Sequence, residues 1–106
     1  MHQINPAQLK KYLETTTNPP VLLDVREPWE FQTCHIDGSV HVPMGQIPSV
    51  YTKFDANKQI VVICHHGMRS MQVAQFLDRA GFKNVVNLIG GIDAWAREID
   101  PNMPTY

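Results

Sequence analysis

Ile60-Val61-Val62-Ile63 is a run of branched apolar residues with no polar alternation, and it ends at Cys64. A strand with one face in water alternates in character along its length. One that is apolar at every position is covered on both faces, as in a parallel sheet. Beyond the cysteine the period changes: Val73, Phe76, Leu77 and Ala80 recur at helical spacing, with Gln72, Gln75, Asp78 and Arg79 between them. The chain therefore passes from a buried strand, through a short loop containing Gly67, into an amphipathic helix that Gly81 caps.

The same handover recurs along the chain. Asn5-Pro6 reads as a helix cap and first helical position, with Leu9, Tyr12 and Leu13 following at helical spacing to about Glu14. Val21 to Val25 is a second apolar run, bounded by prolines, and Pro28 to Thr33 suits a short helix. Ser39 to Val42 predicts a brief strand after the Asp37-Gly38 turn, and Val85 to Leu88 another. Gly90-Gly91 opens a last helix through Ala94 and Trp95, whereas residues 44 to 56 carry no clear period. Alternating strands and helices predict an α/β fold with a central, largely parallel sheet flanked by helices on both faces and ligands beyond the carboxyl ends of the strands. The reading is one domain over residues 1–106, with about 100–106 as a loose tail.

Composition narrows the function classes. Nine Lys and Arg stand against ten Asp and Glu, for a formal charge of -1, and no basic patch or acidic run emerges. Nucleic acid and membrane are thus not expected partners; small molecules or other proteins are. No apolar stretch near the start suits a signal peptide or span, which points to the cytoplasm. Cys34 and Cys64 are too few for a disulfide framework. Neither Cys34-His35 nor His65-His66 has paired-ligand spacing, so no metal is expected.

Cys64 is the candidate nucleophile. Unpaired amides at a helix N-terminus and successive loop amides favour a thiolate, Gly67 lets that backbone turn, and Arg69 offers a fork of donors suited to an oxyanion. Asp24, Arg26 and Glu30, at or just after a strand end, are read as ion-paired supports of the loop. Cys34, with nothing local to activate it, is read as structural.

The loop Cys64-His65-His66-Gly67-Met68-Arg69-Ser70 resembles the Cys-x-x-Gly-x-Arg-Ser active-site pattern of the rhodanese family of sulfurtransferases. Leu23 to Phe31 is similar to that family's first signature, His35 to Pro43 to its second, and Gly90 to Trp95 to the glycine-tryptophan stretch after its last strand. The resemblance implies covalent catalysis in which Cys64 takes a sulfane sulfur from a donor such as thiosulfate and passes it to cyanide or a thiol. It further implies that the amides of His65, His66, Gly67, Met68, Arg69 and Ser70 hold the persulfide, that Arg69 assists an anionic donor, and that no cofactor is needed. Phosphatase-like relatives place seven residues from cysteine to arginine inclusive; here Cys64 to Arg69 is six, a cradle better fitted to sulfur than to phosphate. The alternatives are a non-catalytic module that carries sulfur or docks a protein donor or acceptor, and an arsenate reductase in which Cys34 resolves Cys64.

Overall fold

The computed structural model describes residues 1–106 and contains five strands in one parallel sheet. Strands β1 (His2–Ile4), β2 (Val21–Asp24), β3 (Val40–His41), β4 (Ile60–Ile63) and β5 (Val85–Leu88) lie in the order β1-β5-β4-β2-β3. Helices α1 (Pro6–Thr15), α2 (Pro28–Thr33), α3 (Ile47–Val50), α4 (Met68–Arg79) and α5 (Gly91–Glu98) connect or follow them. The α/β class and the buried central strands are as the sequence predicts. No helix is long and apolar enough to cross a membrane.

Strand β4 is central because both its faces are covered. Ile60 and Val62 join a cluster with Leu23, Val73, Leu77 and Val85 on one side. Val61 and Ile63 join Leu9, Leu22, Val86, Leu88, Ile92 and Trp95 on the other. Each of the four β4 side chains is at most 1% exposed, and burying a residue of this size contributes about 1.5–3 kcal/mol. Such a strand needs a helical layer on each face. Helix α4 supplies one through Val73, Ala74 and Leu77, while α1 and α5 supply the other through Leu9, Ile92 and Trp95.

Local signals set the helix starts. Asn5 Oδ1 accepts from the Gln8 amide at 2.8 Å and Gln8 Oε1 accepts from the Asn5 amide at 2.9 Å, a reciprocal cap with Pro6 in the first turn. Helix α2 also starts on a proline, and the Glu30 carboxylate accepts from the Glu27 amide at 2.9 Å.

Three features escape the sequence reading. Strand β1 is a short, mostly exposed edge strand whose pairing with Val86, Asn87 and Leu88 comes from the sheet, not from its own polar composition. Residues 44 to 53 form two 3₁₀ turns around the four-residue helix α3, too short for any period to register, and Ile47 alone among them is buried. Residues 100–106, expected as a loose tail, instead return across the molecule. The Tyr106 hydroxyl donates to Glu30 Oε2 at 2.7 Å, and its ring stacks on His65 at 4.2 Å.

Candidate active site

Strand β4 delivers Cys64 to the carboxyl edge of the sheet, where the residue is 1% exposed. His65, His66 and Gly67 make the turn, and Met68, Arg69 and Ser70 form the first turn of α4. Gly67 adopts φ +107, a left-handed conformation that L side chains disfavour. That turn aims its N–H at the Cys64 sulfur, 3.0 Å away.

Helix α5 holds the loop from the other side. The amides of Ile92 and Asp93 donate to the carbonyls of Cys64 and His65 at 2.8 and 3.0 Å. Gly91 makes this approach achievable: a Cβ there would collide with both carbonyls, and its φ is +59. The Gly90-Gly91 pair is thus a close-packing device between α5 and the cysteine loop.

A buried polar chain lies behind the sulfur. The Cys64 thiol donates to Ser70 Oγ at 3.3 Å, and the Ser70 hydroxyl donates to Asn87 Oδ1 in a short bond. Asn87 Nδ2 donates in turn to the Gly67 carbonyl and to Gln3 Oε1, each at 3.4 Å. Ser70 is fully buried and Asn87 is 2% exposed. The sequence reading passed over Asn87; its signal is a lone amide inside the apolar run Val85-Val86-Asn87-Leu88.

The charged residues form a second network. Arg26 is fully buried and donates through Nε and Nη2 to Asp24 at 2.9 and 2.7 Å, through Nη2 to the Cys34 carbonyl at 2.6 Å, and through Nη1 to the Glu30 carbonyl at 3.2 Å. Burial works against its charge, but the bonds to Asp24 and Tyr106 outweigh it and hold the guanidinium above its ordinary pKa. Arg69 forks onto Glu30, with Nη1 at 2.6 Å from Oε1 and Nη2 at 2.8 Å from Oε2. Those bonds pull the Glu30 carboxyl down to about 2 against the opposing effect of burial, and they raise Arg69. The supports predicted at Asp24, Arg26 and Glu30 are therefore two separate pairs, Asp24 with Arg26 and Glu30 with Arg69. Arg69 has a partner that the sequence did not reveal.

Tyr106 joins these networks. Its hydroxyl accepts from Arg26 Nη1 at 2.9 Å while donating to Glu30. Burial pushes the phenol up to about 12, so it stays protonated at neutral pH. Its ring meets Trp29 edge-on at 5.2 Å. Burial and the neighbouring His66 push His65 down, favouring the neutral imidazole, while His66 Nε2 lies 3.8 Å from Asp93 Oδ2. Asp93 is also bridged by Arg97 at 3.2 Å. Cys34 packs with the cluster on the opposite sheet face from the one containing Cys64.

The family model described as the rhodanese-like domain matches residues 5–98. The chain belongs to the rhodanese-like family. Among rhodanese-like relatives, YtwF of Bacillus subtilis, provisionally named a sulfurtransferase, is 42% identical over 99 residues, covering 93% of this chain and 94% of that protein. YrkF of the same organism, provisionally named a sulfur carrier protein, is 39% identical over 74 residues, 70% of this chain and 40% of its own length. A crystal structure from Staphylococcus saprophyticus superposes with a TM-score of 0.85 at 35% identity, covering 93% of this chain and 97% of that one. Several curated relatives are much longer, and the chain spans 30% of one and 21% of another.

Proposed function

We propose that the protein is a sulfurtransferase that works through a persulfide on Cys64. The Cys64 thiolate attacks the outer sulfur of a donor such as thiosulfate; a Cys64 S–S bond forms, the donor's S–S bond breaks, and sulfite leaves with the electron pair. A nucleophilic acceptor, cyanide or a thiol, then takes the outer sulfur and returns the thiolate. The observation that carries this reading is the Gly67 N–H aimed at the Cys64 sulfur from 3.0 Å, in a loop clamped by α5. A loop amide so placed suits an anionic sulfur.

Intact mass spectrometry after incubation with thiosulfate tests it. A gain of one sulfur atom is expected, lost on adding cyanide and absent in Cys64→Ala. Failure to load from thiosulfate, a thiosulfonate and a thiol persulfide alike refutes it.

A second reading is a sulfur carrier or partner-docking module with little turnover of its own. It is favoured by the similarity to YrkF and by the engagement of Arg69 with Glu30. Loading by mass with almost no steady-state thiocyanate production distinguishes it.

A further inference from the structure

The charges around the cysteine loop are compensated. Arg69, the cation in the loop, gives its two terminal nitrogens to the two oxygens of Glu30. Arg26 is fully buried against Asp24, Arg97 is bridged to Asp93, and burial favours the neutral form of His65. The side chains around the entrance are in part apolar. Met68, in the loop itself, is 79% exposed, and Trp29, 59% exposed, packs against the Tyr106 ring that stacks on His65. A small dianion approaching the loop finds the Arg69 charge already compensated by Glu30 and gives up part of its hydration shell beside apolar side chains, an unfavourable exchange that the loop N–H groups alone must offset.

We propose that the Glu30 carboxylate, held in place by the Tyr106 hydroxyl, cancels the Arg69 charge and so sets the site's donor class: sulfane donors of low charge, thiol persulfides above all, in preference to the thiosulfate dianion. This rests on the Cys64 persulfide reading. Glu30 touches neither sulfur nor donor; it acts through Arg69 and is a positioning residue, as is Tyr106. With a persulfide donor RSSH, Cys64 attacks the outer sulfur, a new Cys64 S–S bond forms, the donor's own S–S bond breaks, and the thiolate RS⁻ leaves with the electron pair while the proton stays on the new persulfide. No oxidant or reductant is consumed.

The Glu30–Arg69 pair is well made. Glu30 is 4% exposed and its carboxyl is held down to about 2, so the compensation persists at every working pH. Tyr106 fixes its orientation by donating to Oε2 at 2.7 Å while Arg26 holds the phenol oxygen at 2.9 Å.

The experiment compares two donors with the same kind of transferable sulfur and different charge, thiosulfate (two negative charges) and methanethiosulfonate (one). Each is assayed for thiocyanate formation with the wild-type chain, Glu30→Gln and Tyr106→Phe. The expected result is a rise of about tenfold in kcat/KM for thiosulfate relative to methanethiosulfonate in Glu30→Gln, the size of one partly screened charge contact. The rise should reside in KM and shrink between low and high salt. Tyr106→Phe, which keeps the ring and loses the hydroxyl, should move the ratio in the same direction by roughly two- to threefold, the range of one modest hydrogen bond. A Glu30→Gln protein that loses activity equally on both donors overturns the proposal, because a purely structural support has no donor-charge preference. If Glu30→Gln does not fold, an unchanged ratio in Tyr106→Phe overturns it. A wild-type chain that loads from no donor is a different outcome, which sinks the persulfide reading beneath it.

Discussion

Glu30→Gln has a consequence for stability whose size and pH dependence both follow from its surroundings. The folded carboxyl titrates at about 2 against an ordinary 4.5, so folding favours the ionised form. A carboxylate with a depressed folded pKa contributes its full stabilisation above the unfolded value and loses it as pH falls toward the folded one. The gap between 4.5 and about 2 corresponds to at most ~3–4 kcal/mol at ~1.4 kcal/mol per tenfold. The side chain of Arg69 is 34% exposed, and solvent screening lowers the expected value to about 2 kcal/mol. Gln removes the charge while keeping the shape and an oxygen for the Tyr106 hydroxyl. Urea unfolding followed by far-ultraviolet circular dichroism, in reductant at several values between pH 7 and 2.5, reads the difference between the two proteins. That difference should be near 2 kcal/mol at pH 7 and pH 5.5, narrow below about 4.5, and approach zero near pH 2. Other carboxylates titrate in both proteins and cancel. A difference that stays constant from pH 7 to pH 3 refutes the reasoning, because the effect would then come from packing and not from charge.

Gly91→Ala should destabilise the fold by about 2–5 kcal/mol, read as a lowered melting temperature, since the methyl meets the carbonyls of Cys64 and His65 at a positive φ. Asn87→Ala leaves the buried Ser70 hydroxyl without its acceptor and should cost about 1–3 kcal/mol. Adding Ser70→Ala to Asn87→Ala should recover part of that loss, because the orphaned hydroxyl is gone; an additive double mutant would contradict the coupling. Cys34→Ser should leave sulfur loading of Cys64 within about twofold by intact mass, since Cys34 packs on the opposite face of the sheet. Loss of turnover in that variant would favour the reductase reading in which Cys34 resolves Cys64.

The Asn5-Gln8 cap and the prolines that start α1 and α2 act over three or four residues, so they are visible in the sequence and their helices begin where expected. Strand β4 is equally visible, because burial on both faces leaves no polar position in Ile60 to Ile63. Strand β1 and the turns around α3 were not legible. Their backbone is organised by neighbours distant in sequence, or in segments shorter than a period.

By itself, then, the sequence determined the α/β layering, the strand-to-helix position of Cys64 and the freedom of the backbone to turn at Gly67, because hydrophobic period and glycine freedom are local properties of the chain. Only the tertiary structure decided what surrounds the cysteine. Arg69 meets Glu30 across 39 residues, Ser70 meets Asn87 across 17, and Tyr106 reaches Glu30 across 76. Ion pairs and hydrogen bonds between distant side chains leave no periodic trace, since any exposed segment carries similar residues. The partner of the loop arginine, and with it the electrostatic character of the site, emerges when the sheet brings the ends of β2, β4 and β5 together.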